Sequence, residues 1–157
     1  MSIQNILVPN DLTLYCGAIN VDGVQAPAIE TLSQSFTPYY NSIGTPAQTL
    51  VFTKISIPGG RGMVFVSIPA FSVDTSAASS TLYFDLAGVP KYSIFGNNAL
   101  QQVVEIVNNS VSAYGRAYVD SVSQRIYISA AHGANFTMGG VGGLEGSILL
   151  SYLHSDV

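Results

Sequence analysis

The chain has 157 residues, of which 48% are hydrophobic and only 9% are charged, and its net charge is −4. This length suits one domain with a substantial core, and the low charge, against a usual share of about 25%, leaves neutral polar residues to form most of the surface. The five Lys and Arg residues are scattered along the sequence, which argues against direct binding of nucleic acid through a basic patch.

Cysteine content and hydropathy indicate the cellular compartment in which the protein is made. The single cysteine, Cys16, excludes an intramolecular disulfide framework and a zinc site made of cysteines alone. No run of 18 apolar residues predicts a membrane span, and Met1–Asn10 lacks the charged start and long apolar run of a signal peptide. We therefore expect a protein that is made in a reducing cytoplasm, is not secreted and does not enter a membrane.

The first third of the chain is predicted to form an arm. Leu12–Cys16 has the pattern of a short strand, and the Asn, Asp, Gly and Pro residues after it indicate turns. One or two helical turns are predicted for Ala28–Ser35, followed by an aromatic loop over Phe36–Pro46. Residues 1–45 are thus expected to pack as an arm and loops on a body formed by residues 46–157, within a single domain.

The centre of the sequence is the predicted hairpin Leu50–Phe71. Both arms are rich in Val, Ile, Phe and Thr, which favour strands, and Pro58–Gly62 supplies the turn. The second arm is apolar on both faces, with Phe65 on one side and Val66 on the other. Such a strand needs cover on both sides, either from a second sheet or from a neighbouring subunit. Phe65 and Val66 are therefore candidate interface residues.

The second half of the sequence alternates between strands and turns. Leu100–Val107 fits an apolar helical stripe as well as a strand, and its β-branched residues and the Asn108-Asn109 turn favour the strand. Ser72–Ser80 and Gly139–Gly143 are predicted to be loops. Strands with alternating apolar residues are predicted at Thr81–Leu86, Val111–Val119, Gln124–Ala130 and Gly146–Leu153, and a further short strand at Ala134–Met138.

This spacing of strands and turns predicts the fold class. Short strands every 8–15 residues, separated by Gly, Pro and Asn, are typical of an antiparallel sandwich. We predict an all-β, antiparallel β-sandwich of the jelly-roll type, with about eight strands and an N-terminal arm.

Catalytic motifs do not stand out in the sequence. Only His132 and His154 could act as imidazole bases, and no G-x-S-x-G motif is present. Four carboxylates could pair in principle, but their spacing does not single out a catalytic pair; they are Asp85, Glu105, Asp120 and Glu145. The sequence therefore predicts that the protein is not an enzyme, and it predicts neither a metal site nor a cofactor.

Several tyrosines are expected on the outward or more polar faces of their strands. Tyrosine is favoured where two surfaces meet, because it is large and rigid and keeps a polar tip. Arginines on the same faces could stack on the rings. Packing beneath loops is the other explanation for these residues. The candidate interface residues are Tyr83, Tyr114, Arg116, Tyr118 and Tyr127, and Arg125 shares their face.

The closing segment resembles a known group of proteins. Phe136-Thr137-Met138-Gly139-Gly140 and residues 146–153 resemble the last strands of trimeric jelly-roll heads of the TNF and C1q type. The whole chain, with its low charge and its Ser, Asn, Gly and Tyr content, is similar to small all-β virion proteins of large double-stranded DNA viruses (Marseillevirus-like) or of phages. This resemblance implies a homotrimer placed in or on a capsid, in contact with other capsid proteins, and it implies no catalytic residues.

Two functions follow as expectations. The first is a structural virion protein, a self-associating jelly-roll building block or decoration of a viral capsid, made in the host cytoplasm and located in the virion. The second is a carbohydrate- or receptor-binding β-sandwich, whose exposed tyrosines and Asn- and Asp-bearing loops would contact a glycan or receptor.

Overall fold

The computed structural model describes residues 20–21, 24–25, 27–40, 45–77, 79–96 and 101–155. Within these ranges nearly all regular structure is β-strand, and all strand pairs are antiparallel. The strand predicted at Leu12–Cys16, including Cys16, lies outside the described residues. The first two strands, β1 (Asn20–Val21) and β2 (Val24–Gln25), pair only with each other.

One of the two larger sheets has four strands. Three of its strands, β3, β4 and β5, follow one another in sequence and lie side by side. The fourth strand, β12, is the last described strand and pairs with β5. The spatial order is β12 (Ile148–Ser155), β5 (Arg61–Ile68), β4 (Gln48–Ile57) and β3 (Ala28–Phe36).

The other large sheet has six strands. Two short 3₁₀ helices, Pro90–Tyr92 and Ala131–Gly133, lie between successive strands of this sheet. The spatial order is β6 (Phe71–Asp74), β11 (Val141–Leu144), β8 (Gln101–Asn108), β9 (Val111–Asp120), β10 (Arg125–Ala130) and β7 (Leu82–Asp85).

The two sheets enclose one hydrophobic core. Phe52, Val66 and Tyr152 point into it from the four-stranded sheet, and Phe84 and Ile126 from the six-stranded sheet. The predicted antiparallel all-β sandwich is therefore confirmed, with ten strands in the two facing sheets where about eight were expected. Each sheet contains three sequential strands that are neighbours, β3–β4–β5 and β8–β9–β10. In the six-stranded sheet β11 returns to lie beside β8, which gives β8–β11 the strand order of a Greek key. Short turns join β4 to β5, β8 to β9 and β9 to β10, whereas residues 37–47 lie between β3 and β4.

The central hairpin is formed as the sequence predicts. Strands β4 and β5 pair from Val51 with Ser67 to Ile57 with Arg61. The turn between them uses Gly59 at a φ of 98°, a conformation that residues with a Cβ rarely adopt.

The predicted helical turns at Ala28–Ser35 are wrong, because this segment is strand β3. Its side chains alternate between the outside and the core, and it pairs with β4 over its whole length, from Ala28 opposite Ser56 to Phe36 opposite Gln48. Pairing with a strongly strand-forming neighbour overrides the weak local preference of a segment rich in Ser, Thr and Gln. The predicted boundary after residue 45 separates β3 from β4, which are paired neighbours in one sheet.

Two predicted loops also contain strands. Phe71–Asp74 forms β6, and Val141–Leu144 of the glycine-rich segment forms β11, which lies between β6 and β8. Glycine permits this close pairing, since a Cβ on Gly143 would lie 2.1 Å from the carbonyl oxygen of Phe71. The strand predicted at Ala134–Met138 does not form, although the nitrogen of Phe136 donates to the carbonyl oxygen of Ser80 at 2.8 Å.

Buried tyrosines predict that the protein loses stability at alkaline pH. The hydroxyl group of Tyr152 donates to the carbonyl oxygen of Tyr92 at 2.7 Å inside the core, and burial raises the pKa of Tyr152 well above its ordinary value. Burial also raises the pKa of Tyr40 and Tyr92. A raised pKa in the folded state means that ionisation favours unfolding, so stability is complete below about pH 10 and falls above it.

Urea unfolding between pH 8 and pH 11.5 measures this effect. Tyr152, whose pKa is raised the most, should contribute up to about 1.4 kcal/mol of lost stability per pH unit above pH 10. Replacing Tyr152 with Phe should remove one such contribution and lower stability by about 1–3 kcal/mol at neutral pH, because the carbonyl of Tyr92 loses its donor. The same change at exposed Tyr114 is the control and should alter neither quantity.

Candidate functional site

Tyrosine side chains form a row across the outer face of the six-stranded sheet. Tyr127 of β10 lies opposite Tyr83 of β7 on one side and opposite Tyr118 of β9 on the other. Tyr39 extends the row, because its backbone forms an isolated bridge with Tyr83. Outward side chains at matched positions of neighbouring strands contact each other, so the strand register brings four tyrosines together. We call Tyr39, Tyr83, Tyr127 and Tyr118 the tyrosine row.

The rings of the tyrosine row stack on one another. The ring centroids of Tyr39 and Tyr83 are 5.0 Å apart with an angle of 10° between the planes, and those of Tyr118 and Tyr127 are 5.1 Å apart at 14°. The central pair, Tyr83 and Tyr127, is 5.7 Å apart at 48°. Because neighbouring strands are about 4.8 Å apart, stacked rings must stand upright on the sheet. The row therefore presents ring edges and hydroxyl groups to solvent more than ring faces.

Two arginines cover faces of the tyrosine row. The Cζ atom of Arg125 lies 4.2 Å from the ring centroid of Tyr83, and that of Arg116 lies 5.3 Å from the ring of Tyr118. Arg125 also forms an ion pair of 3.6 Å with Asp85 and lies opposite Asp120 in the strand register. The charge of Arg125 is therefore balanced by nearby carboxylates. The strand neighbours of Arg116 are different.

Arg116 lies among uncharged strand neighbours. Its cross-strand partners are Val103 of β8 and Ser129 of β10. Its Nη1 donates to Oε1 of Gln101 at 2.8 Å, whereas its Nε is buried and has no hydrogen-bond partner within the described part of the chain. The guanidinium is thus held in place by uncharged groups. Burial also raises the pKa of neighbouring Tyr118, which keeps this phenol neutral.

A pocket of about 340 Å³ opens beside Arg116 on the same face. Tyr114 forms one side of it and does not belong to the tyrosine row, and its side chain is 67% exposed. We call this cavity the Arg116 pocket. Its lining includes Gln101, Gln102, Val103, Tyr114, Arg116 and His132.

The turn after β10 shapes one side of the Arg116 pocket. Gly133 has a φ of 76°, and a Cβ at this position would lie 1.7 Å from Nη2 of Arg116. A side chain at this position would displace the guanidinium of Arg116 from its present place. The preceding residue, His132, has a φ of 57°, a conformation that is uncommon for residues other than glycine and that is enriched at functional sites.

The outer face of the four-stranded sheet has a different character. A row of large apolar side chains crosses all four strands, with Ile29 opposite Ile55, Ile55 opposite Met63, and Met63 opposite Leu153. In these four fully described strands, Arg61 is the only charged residue that points outward. We call the outward side chains of β3, β4, β5 and β12 the neutral face.

The structure places the two candidate interface residues of the central hairpin on opposite faces of β5. Phe65 points outward and forms part of the neutral face, whereas Val66 is 0% exposed and lies in the core. Val66 is thus removed from the predicted interface, because the alternation of β5 turns it towards the six-stranded sheet. Of the remaining candidates, Tyr83, Tyr118 and Tyr127 lie together in the tyrosine row, and Tyr114 and Arg116 line the Arg116 pocket.

Sequence reasoning missed Tyr39, Gln101 and His132 as parts of this surface. The aromatic pair Tyr39-Tyr40 is visible in the sequence, but a segment without strand periodicity gives no indication of which sheet it joins. His132 stands out in the sequence as one of two possible imidazole bases, and nothing in the sequence indicates that it lies beside Arg116.

Among the described residues, no group of three or more His, Cys, Asp or Glu side chains is arranged to hold a metal ion. Neither short helix in the described ranges has the length and apolar character needed to cross a membrane.

Comparison with known proteins gives no family assignment. No family model matches the chain, and no curated protein matches it. The structure itself defines the class of protein, an all-β sandwich with a neutral face on one side and a tyrosine- and arginine-bearing face on the other.

Proposed function

We propose that the protein is a structural subunit of a virus particle that associates with further copies of itself through the neutral face. The observation that carries this proposal is the row Ile29, Ile55, Met63 and Leu153, which is apolar across the full width of the sheet. Each of these side chains except Ile55 is strongly exposed. An exposed apolar area of this kind is typical of a protein–protein interface.

The size of the neutral face reaches the lower limit for a specific contact. Four strands about 4.8 Å apart, each about eight residues long at about 3.4 Å per residue, cover roughly 500 Å². Association of two such areas removes roughly 1,000 Å² from water, which reaches the lower range of specific interfaces. Because Arg61 is the only charged side chain on the neutral face of the four described strands, a second copy can cover the rest of the face without burying a charge.

The position in a virion is the second part of the proposal. It is supported by the similarity of this low-charge, all-β chain to small virion proteins, which implies a homotrimer in contact with other capsid proteins. A surface made mainly of neutral polar and apolar residues suits a permanent assembly. Synthesis in the host cytoplasm, without secretion, belongs to the same proposal.

The solution mass of the purified chain tests the self-association. We expect a mass of about three times 16.5 kDa by light scattering, stable on dilution. A mass of twice the chain would support face-to-face pairing of two neutral faces and would correct the trimer. A monomer at all concentrations would contradict the proposal. The virion location is tested by mass spectrometry of purified particles of the virus whose genome encodes the chain.

Carbohydrate or receptor binding is a second candidate, which the surface around Arg116 favours. The exposed ring of Tyr114, the side-chain amides of Gln101 and Gln102 and the guanidinium of Arg116 lie around one pocket. Small-molecule sites combine an aromatic or apolar wall with a few polar groups in this way. The tyrosine row itself is less suited to stacking on a sugar, since its ring faces are covered by one another and by Arg116 and Arg125.

A further inference from the structure

We propose that the Arg116 pocket binds a sugar that carries a carboxylate group, with Arg116 holding the carboxylate. This inference rests on the second candidate function and names its ligand class. It is independent of the self-association through the neutral face, which lies on the opposite side of the sandwich.

The charges around the pocket favour an anion. Arg116 is the only residue with a permanent charge among the described residues that line it, and none of those residues is acidic. The other arginine of this face, Arg125, already forms an ion pair with Asp85. Arg116 has no such partner in its strand register, where it faces Val103 and Ser129. A ligand carboxylate would supply the missing countercharge.

The guanidinium of Arg116 is held in place before a ligand arrives. Its Nη1 donates to Gln101, its plane lies over the ring of Tyr118, and its end packs closely against Gly133. A guanidinium carries five N–H donors in a rigid arrangement that matches the two oxygens of a carboxylate. Fixing its position in advance lowers the entropy lost on binding.

The remaining lining residues suit a hydroxylated ring. Tyr114 offers an open ring face, which the tyrosine row does not. The amide groups of Gln101 and Gln102 can donate to and accept from hydroxyl groups. The volume of about 340 Å³ lies at the lower end of small-ligand pockets and so fits one or two sugar rings.

An acidic region next to the pocket determines where the carboxylate must lie. Tyr114 also lines a neighbouring cavity of about 280 Å³ that contains Glu105 and Glu145. The ring of Tyr114 thus stands between a cationic and an anionic cavity. A carboxylated sugar is attracted to the Arg116 side and repelled from the other side.

Binding of methyl glucuronide and methyl glucoside, measured by calorimetry and by saturation-transfer NMR, tests the inference. The two probes share the sugar ring and differ in the carboxylate. We expect the glucuronide to bind about tenfold or more tightly than the glucoside, because a charge-assisted hydrogen bond is lost in the neutral sugar. Sodium acetate, the third probe, should bind more weakly than the glucuronide.

Val103 allows a variant that leaves Arg116 in place. It lies opposite Arg116, its side chain is 74% exposed, and Val103→Glu would place an internal carboxylate beside the guanidinium. This variant should lose the preference for the glucuronide, whereas Val103→Gln should retain it. Arg116→Gln should also lose it, and Arg61→Gln on the other sheet should not. Melting curves identify any variant that fails to fold.

The outcomes distinguish failure of the carboxylate site from failure of the more general sugar-binding candidate. Equal binding of glucuronide and glucoside, or unchanged binding by a folded Val103→Glu protein, would overturn the carboxylate site and leave the sugar-binding candidate standing. Acetate binding as tight as glucuronide binding would overturn the sugar part. If neither sugar binds at millimolar concentration, the inference and the sugar-binding candidate are both rejected.

Discussion

Replacing Val66 with aspartate should abolish folded, soluble protein. Val66 is fully buried between Phe52 and Leu150, its partners on the neighbouring strands. An unpaired carboxylate in this position costs several kcal/mol, and the lost apolar burial adds roughly 1.5–3 kcal/mol. These terms together approach the whole stability of a domain, about 5–15 kcal/mol. The soluble fraction on expression and the thermal melting curve measure the effect.

Phe65 provides the matched control for Val66. It is the adjacent residue of β5 and points to the outside, so Phe65→Asp should leave the sandwich folded. The two substitutions introduce the same charge one position apart and differ in the face that receives it. A normal melting curve for Val66→Asp would show that the inner face of β5 is assigned wrongly.

Met63→Asp should convert the associated protein into a folded monomer. Met63 lies in the apolar row of the neutral face, between Ile55 and Leu153, and is 40% exposed in the single chain. A second copy that covers this residue would bury the new carboxylate in a surface whose only other charged side chain is Arg61. The expected loss is about 2–5 kcal/mol of association free energy, which raises the dissociation constant by roughly 30-fold or more.

Light scattering over a dilution series measures the mass of the Met63→Asp protein. Val122→Asp is the control, because Val122 is exposed in the turn between β9 and β10 on the other sheet. It should keep the mass of the original protein. If folded Met63→Asp also keeps that mass, the copies associate through another surface.

Strand periodicity explains which parts of the fold could be predicted. Leu82 and Phe84, and likewise Ile126 and Ile128, alternate with polar residues and are buried as expected. The segment Gln101–Asn108 is a strand, which resolves the choice between strand and helix. Segment β11 could not be predicted in this way, because glycine has no side chain whose alternation would reveal a buried strand.

The candidate site could be predicted only in part, for a related reason. Alternation places Tyr83, Tyr118 and Tyr127 on outer faces, but their contact depends on the strand register and on the neighbours of β10. Sequence periodicity predicts neither the strand register nor the neighbours of β10. The Arg116 pocket depends in addition on the turn at His132 and Gly133, whose backbone conformation is set by tertiary packing.

The return of β12 to β5 has a consequence for how the chain folds. This pairing joins positions that are far apart in sequence, such as Met63 and Leu153, and it completes the four-stranded sheet. Closing such a long loop has a large entropic cost that is recovered only when the final strand docks. During synthesis the edge of β5 stays open until residues 148–155 have left the ribosome, so the four-stranded sheet should be completed only after this segment emerges.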